Sequence, residues 1–154
     1  MGLGKRLRNE FINFLFLLVR PKTLGVRAIA FDGEGRVLLV KHTYVRGWHL
    51  PGGGVDRGES VYEALHKELR EEANAAFDGT PELMSVHLNQ GMSKRDHVVV
   101  FRCDDVVQTQ PKERDLEIAA AAFFALDQLP EDTTKSTLRR IRECQGLEPA
   151  DHYW

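Results

Sequence analysis

Apolar positions along the chain fall into short runs with strand character. Each run holds six to eight residues and is bounded by Gly, Pro, Asp or Asn, which is typical of strands joined by turns. The runs cover residues 25–31, 36–41, 81–88, 97–103 and 117–124. The last run contains four consecutive alanines, which also suit a helix, so its pattern alone leaves both structures open.

One helix is indicated in the middle of the chain. Val61, Leu65 and Leu69 recur at every fourth residue and form an apolar stripe that can face a core. Ser60 stands three residues before Glu63, which is the spacing of a capping box. The pattern therefore predicts a helix that begins just after Ser60.

A second helix is expected near the end of the chain. Asp132 or Thr133 is expected to cap it, because short polar side chains satisfy the free amides of a first turn. Leu138 and Ile141 are expected to face inward, and Gly146 to close the helix.

The first two strands are expected to form a hairpin. Residues 32–35 (DGEG) separate the runs 25–31 and 36–41. A short connection rich in Asp and Gly between two apolar runs is typical of a β-hairpin.

Residues 3–20 (LGKRLRNEFINFLFLLVR) form an almost wholly apolar segment behind a basic start. The apolar run is too short to span a bilayer, and Arg20, Pro21 and Lys22 follow where a secretory cleavage site would need small residues. The segment is therefore interpreted as a helix whose apolar surface must be buried against another surface. Packing on its own domain is the first alternative, a homodimer contact is the second, and a membrane-surface helix is the third.

Composition narrows the class of protein. With 154 residues, 42% hydrophobic and 29% charged, the chain suits one globular domain. A net charge of −2 gives no broad basic surface, so a nucleic acid polymer is not an expected partner and a small molecule is. Cys103 and Cys144 lack metal-ligand spacing and are interpreted as inert thiols, which agrees with a reducing cytoplasm.

The stretch 50–75 (LPGGGVDRGESVYEALHKELREEANA) carries the candidate chemistry. Three consecutive glycines after Pro51 predict a loop that can approach a ligand closely. Glu68, Glu71 and Glu72 share one helix face and must repel one another unless a cation lies between them. Such a cluster suits a hard divalent ion.

This stretch resembles the Nudix hydrolase signature, G-x5-E-x7-R-E-U-x-E-E-x-G-U, in which U is aliphatic. Six residues match in register: Gly53, Glu59, Glu68, Leu69, Glu71 and Glu72. Lys67 replaces the usual Arg, so its pairing with Glu59 should be looser. Asn74 replaces the usual Gly and should preserve the left-handed turn past the helix end.

The resemblance implies an α/β fold, the Nudix α/β/α sandwich with a mixed β-sheet and a loop–helix–loop catalytic motif. The domain is placed at residues 23–148, between an apolar helix at 1–22 and a tail at 149–154. The resemblance also favours a strand for residues 117–124, because a glutamate there precedes an aromatic pair and a Leu-Pro turn.

The implied activity is hydrolysis of the pyrophosphate linkage of a nucleoside diphosphate derivative by water, with Mg²⁺ or Mn²⁺ bound. The substrate could be ADP-ribose-like, a nucleotide sugar or a nucleoside triphosphate. The alternative is a Nudix-like module that binds or senses a nucleotide without cleaving it. Lys67 and Asn74 are the only features that favour this alternative.

Roles within the implied site follow from the matched positions. Glu68 and Glu72 lie one turn apart and are expected to be the principal metal ligands and catalytic carboxylates, with Glu71 less direct and Glu117 joining from the late strand. Glu59 and Lys67 are expected to support the loop. Five residues are expected to contact substrate: Gly52, Gly53, Gly54, Tyr44 and Arg46.

Overall fold

The structure is a computed structural model that describes Leu15 and residues 21–154. The described residues form eight strands: β1 (Thr23–Ala30), β2 (Val37–His42), β3 (Trp48–His49), β4 (Ala75–Ala76), β5 (Glu82–Leu88), β6 (Asp96–Cys103), β7 (Val107–Gln108) and β8 (Ile118–Phe124). Two helices are present in the described part of the chain, α1 (Val61–Ala73) and α2 (Lys135–Cys144). All five apolar runs that predicted strands are confirmed, including the alanine-rich run that forms β8.

The strands are arranged in two three-stranded sheets and one small pair. β1 pairs in parallel with β6, and β5 pairs antiparallel with the other edge of β6. β2 lies between β3 and β8 and is antiparallel to both. β4 and β7 form a short antiparallel ladder behind α1. The expected mixed parallel and antiparallel pairing is confirmed.

Alternate residues of the strands enter two hydrophobic cores. One core packs the α1 residues Leu65 and Leu69 against Val26 and Leu38. The other core contains the neighbouring positions Ile29 and Leu39, together with Ile141 of α2. Because successive strand residues point to opposite faces, the strands lie between α1 and α2. This is the α/β/α sandwich that the resemblance implies.

Helix α1 begins and ends as its sequence predicts. Ser60 Oγ accepts a hydrogen bond from the Glu63 amide, and Glu63 Oε2 accepts one from the Ser60 amide. These two bonds complete the capping box. Asn74 takes the left-handed conformation (φ 52°, ψ 36°) and its amide donates to the Arg70 carbonyl. Asn74 therefore provides the turn for which the signature uses Gly.

The predicted hairpin between the first two strands is wrong. The turn itself forms, since Asp32 accepts the amides of Glu34 and Arg36. Only one bridge, Phe31 to Val37, follows it, and β1 and β2 then enter different sheets. The edge of β1 that β2 would need is already paired with residues 51–55 of the glycine loop.

The last helix forms, but its predicted details need correction. Thr134, rather than Asp132 or Thr133, is the N-cap, and its side chain accepts the amide of Thr137. Asp132 instead pairs with Lys41 at 2.7 Å. Leu138 is partly exposed, since Thr137, Arg140 and Ile141 form the buried face of the helix.

Residues 149–154 are fixed to the domain. The amide of Leu88 donates to the His152 carbonyl (2.9 Å), and the amide of Trp154 donates to the Leu88 carbonyl (3.1 Å). A short parallel bridge at the end of β5 results. Arg140, a buried cation of α2, lies next to this C-terminal segment.

A buried polar network surrounds Arg140. Its guanidinium donates to His87 Nδ1 (2.7 Å), to the Tyr153 carbonyl (3.2 Å) and to Glu143 Oε1 (2.6 Å). His87 Nε2 lies 2.7 Å from Ser85 Oγ. Because Nδ1 must accept from a guanidinium, His87 is neutral with its proton on Nε2.

The N-terminal segment, residues 3–20, lies outside the described part of the chain except for Leu15. The predicted helix, the surface that would bury it and a homodimer contact through it stay predictions. Within the described residues, no helix combines the length and the apolar character needed to cross a membrane.

The His87 network should make the fold sensitive to acid. Burial, followed by the neighbouring Arg140 charge, lowers the pKa of His87 from 6.5 to about 4. The unfolded chain therefore binds a proton in this window that the folded chain does not, and stability is lost as the pH falls from 6.5 toward 4.

Thermal melts of the wild type and His87→Gln at several pH values check this prediction. The melting temperature of the variant should fall less steeply in the same window, whatever its value at neutral pH. Parallel curves would show that His87 does not contribute to the acid sensitivity.

Candidate functional site

The candidate site is a pocket of about 850 Å³ between β1, β2, the glycine loop and α1. Glu68 and Glu72 line it from α1, and Gly52, Gly53 and Gly54 line it from the loop. A volume of this size is in the range of small-molecule and cofactor sites. The pocket therefore joins the predicted helix carboxylates to the predicted glycine loop.

The glycine loop is held against β1 by backbone hydrogen bonds. The amides of Val26 and Ala28 donate to the carbonyls of Gly53 and Pro51, each at 2.9 Å. Gly52 has a φ of 145°, and a Cβ there would lie within 3.0 Å of the β1 backbone. Only glycine allows the loop to pass so close to the strand.

Glu72 is the more deeply buried of the two pocket carboxylates. Its Oε2 accepts the Gly52 amide at 2.8 Å, and its Oε1 lies 3.6 Å from His42 Nε2. Burial raises the pKa of the Glu72 carboxyl to about 7, although the Gly52 amide and the Arg27 charge act in the opposite direction. The Gly52 amide is thus committed to Glu72 and does not point to a substrate.

Glu68 faces the loop at Gly53. A Cβ on Gly53 would lie 2.7 Å from the Glu68 carboxyl carbon, so a side chain at position 53 would displace the carboxylate from this position. Burial raises the pKa of Glu68 above its ordinary value. Among the described residues no hydrogen bond or ion pair satisfies its carboxylate.

Glu71 and Glu117 are placed differently. The Glu71 side chain is 61% exposed, against 11% for Glu72, and it lies in an adjoining depression.

Glu117 is exposed but lines both the pocket and this depression. Its neighbour Asp115 is bound to Lys112 (2.6 Å) and to the amides of Glu117 and Ile118. Glu117 is therefore less restrained by neighbours than Asp115.

The loop–helix–loop contains the support that the matched positions imply. Lys67 Nζ lies 3.0 Å from Glu59 Oε2 and 2.9 Å from Asp56 Oδ2, and these two hydrogen bonds raise the pKa of Lys67. Glu59 also accepts the Asp56 amide at 2.8 Å. Lys67 thus reaches two carboxylates as separate point contacts, where an arginine could grip one in two places.

Tyr44 lines the pocket and is largely exposed, with its ring 5.2 Å from that of His42. Arg46 does not line the pocket. It borders a separate depression with Lys41, Gly47 and Asp132. The structure therefore places Tyr44 at the pocket but leaves Arg46 outside it.

Four basic side chains line the pocket: Lys22, Arg27, His42 and His49. Sequence reasoning did not assign Lys22, Arg27 or His42 to the site. Arg27 donates to the carbonyls of Leu50 and Gly52, so it also fixes the loop. Burial lowers the pKa of His42 to about 4 and lowers that of His49, so both rings are neutral near pH 7. A single Arg inside the apolar run of β1 was the signal that could have identified Arg27.

The donor set suits a divalent cation that takes part of its shell from substrate. Within the described residues, no three His, Cys, Asp or Glu side chains are grouped closely enough to hold an ion by themselves. Mg²⁺ usually takes only one or two protein carboxylates, together with water and substrate phosphates. Buried Glu72 and unpaired Glu68 fit that requirement.

The family model described as the NUDIX domain matches residues 21–143. This chain belongs to the Nudix family. The matched segment includes the glycine loop, α1 and β8, so it contains every described element that lines the pocket except the C-terminal residue Trp154.

The Nudix chain is similar to two curated relatives and to one solved structure. It is 32% identical over 108 residues to human 8-oxo-dGDP phosphatase NUDT18, covering 68% of this chain and 33% of that protein. It is also 32% identical over 111 residues to the ADP-ribose pyrophosphatase of Methanocaldococcus jannaschii, covering 67% of this chain and 64% of that protein. The chain thus spans from one third to just under two thirds of these relatives.

A solved structure shows the same fold. The MutT NUDIX hydrolase from Burkholderia pseudomallei superposes with a TM-score of 0.65 and is 28% identical, with 79% of this chain and 96% of that chain covered. The Nudix α/β/α architecture is therefore shown for this protein.

The close fit of Gly53 against Glu68 can be tested with a matched pair. Gly53→Ala should displace the Glu68 carboxylate, and a displacement of this kind can cost on the order of tenfold or more in turnover. Gly33→Ala is the control, because Gly33 lies in the turn after β1, outside the pocket, and nothing lies within 4 Å of a Cβ there. Turnover and the Mg²⁺-induced rise in melting temperature should fall in the first variant alone; equal losses in both would refute the role of this contact.

Proposed function

We propose that this Nudix protein hydrolyses the pyrophosphate linkage of a nucleoside diphosphate derivative, with Mg²⁺ or Mn²⁺ held by Glu68 and Glu72. The observation that carries the proposal is the pair of carboxylates one helical turn apart, desolvated beside a glycine loop and only partly neutralised by the protein. Carboxylates in such a place are costly unless a cation joins them.

The neighbouring residues determine how the carboxylates are held. The Gly52 amide fixes one oxygen of Glu72, and the backbone of Pro51 and Gly53 ties the loop to β1. Arg27 contributes the one guanidinium that lines the pocket within the described residues, where it can attract a phosphate as well as offset the carboxylates. His42 and His49 add hydrogen-bonding groups without adding charge near pH 7.

A bound divalent ion would polarise the phosphoryl oxygens and lower the pKa of an attacking water. The protein's own residues would position the ion and the substrate. Glu68 and Glu72 orient toward the pocket, and Glu117 borders it from the start of β8. The exposed Glu71 is suited to a less direct role, through water.

The relatives indicate a range of substrates. Their names specify an 8-oxo-dGDP phosphatase and an ADP-ribose pyrophosphatase. Both substrates contain a nucleoside diphosphate, which is the substrate class we propose here. Formation of the nucleoside monophosphate from nucleoside diphosphates and triphosphates, ADP-ribose and nucleotide sugars, with and without Mg²⁺, tests the class, because cleavage of the pyrophosphate linkage leaves this product whatever the other product is. Turnover of none of them would favour a binding module.

The helix carboxylates should differ in importance. Glu68→Gln and Glu72→Gln should each reduce kcat by more than the roughly 10- to 100-fold that loss of an outer-shell partner costs at a metal site. Glu71→Gln should reduce it less, because its carboxylate is exposed to solvent. The measurement is kcat at saturating Mg²⁺, beside thermal melts to confirm folding. Near-normal turnover of a folded Glu72→Gln protein would contradict the proposed site.

Glu117 is proposed as a further carboxylate for the metal site. Glu117→Gln keeps the size of the side chain and removes its charge, so the Mg²⁺ concentration needed for half-maximal activity should rise. Asp115→Asn is the matched control, since Asp115 is bound to Lys112 and to backbone amides. A shift in Mg²⁺ dependence for Asp115→Asn alone would transfer the role to that residue.

A further inference from the structure

The C-terminal residues contribute to the wall of the substrate pocket. Trp154 lines the same cavity as Glu68 and Glu72, although it is 82 positions beyond Glu72 in the sequence. Its backbone amide donates to Leu88, whose neighbour Asn89 also lines the cavity. The indole therefore lies beside the loop that follows β5.

The indole of Trp154 is held in place by contacts with Arg140 and His87. The Arg140 guanidinium lies 5.4 Å from the centroid of the Trp154 ring, and the His87 ring meets it nearly at right angles at 5.8 Å. Arg140 is itself fixed by His87, Glu143 and the Tyr153 carbonyl. A buried guanidinium tolerates little movement, because breaking its pairs would leave an uncompensated charge. Trp154 also packs against the second hydrophobic core, and it remains partly exposed where it lines the cavity.

Polar groups next to the indole have a fixed orientation. Asp96 is buried, and its two oxygens accept from Thr23 Oγ1 (2.7 Å) and Asn89 Nδ2 (2.9 Å). This bond fixes the Asn89 amide, so that its Oδ1 and its second N–H can bind the edge of a ligand. Met92 and Leu24 add apolar surface to this part of the cavity.

We infer that Trp154 stacks on the nucleobase of the substrate and that Asn89 binds an edge of the base. The inference rests on the proposed function for its substrate class. It places the nucleobase of the substrate against the wall formed by Trp154 and the loop after β5. A planar aromatic group suits an indole whose position is fixed, because little conformational freedom is lost on stacking. Arg140 is a positioning residue that acts through Trp154.

The two tryptophans of the chain allow a direct binding test. Trp48→Phe leaves Trp154 as the single tryptophan, and Trp154→Phe leaves Trp48, which packs on Phe124 in the core. AMP and GMP should quench the Trp154 emission saturably in the first protein and leave the second unchanged. Ribose 5-phosphate, which has no base, should quench neither. Quenching of the first protein by ribose 5-phosphate to the same extent would overturn the inference.

Affinity supplies a second readout. Trp154→Ala should weaken the binding of AMP or GMP by about tenfold or more, whereas Trp154→Phe should retain most of it. Tyr153→Ala is the matched control, because the Tyr153 side chain is exposed and only its carbonyl contacts Arg140. Equal affinity of Trp154→Ala and the wild type, or no nucleotide binding by the wild type, would refute the stacking role.

These outcomes separate the inference from the proposed function. Saturable quenching of Trp154 by nucleotides without any hydrolysis would support the base site and contradict the catalytic proposal. Hydrolysis that depends on Glu72 but is equally efficient in Trp154→Ala would support the catalysis and overturn the base site.

Discussion

The structure depends on the pairing of the glycine loop with the free edge of β1. The amides of Val26 and Ala28, and the carbonyl of Leu24, are all bonded to residues 51–55. Because this edge is occupied, β2 leaves the sheet of β1 after a single bridge and builds a second sheet with β8. The same pairing brings Gly52 and Gly53 to the carboxylates of α1, so the fold and the candidate site share one constraint.

Charge balance is the second requirement of the site. Glu68 and Glu72 are partly or deeply buried, and burial raises the pKa of both carboxyls. Arg27 offsets part of the negative charge, while His42 and His49 remain neutral near pH 7 because burial lowers their pKa values. The protein thus retains a demand for positive charge in a pocket large enough for a nucleotide. Under the proposed function, a divalent ion with phosphate ligands would meet that demand.

The opposite side of the fold supports the pocket through packing. Arg140 joins α2, β5 and residues 151–154 in a buried network, and the indole of Trp154 connects this network to the cavity. A segment without any sequence pattern therefore acquires a defined place, because a buried cation requires specific partners. The two helices of the sandwich contribute to the same pocket from different directions, α1 directly and α2 through the C-terminal residues.

Sequence by itself determined the local features of this protein. The capping box at Ser60, the left-handed turn at Asn74, the strand runs and the register of Glu68, Glu71 and Glu72 follow from periodicity, propensity and short-range hydrogen bonding. The Nudix resemblance added the sheet arrangement and the expected chemistry. Glu59 and Lys67 were found through the same matched positions.

Tertiary structure alone decided the features that depend on distant partners. It paired β1 with the glycine loop instead of β2, made Thr134 the cap of α2 and left Arg46 outside the pocket. It also brought Arg27, His42 and Trp154 to the same pocket, although no sequence motif links them. The physical reason is that hydrogen-bond pairing of strand edges and compensation of buried charge are settled between segments far apart in sequence, where local periodicity carries no information.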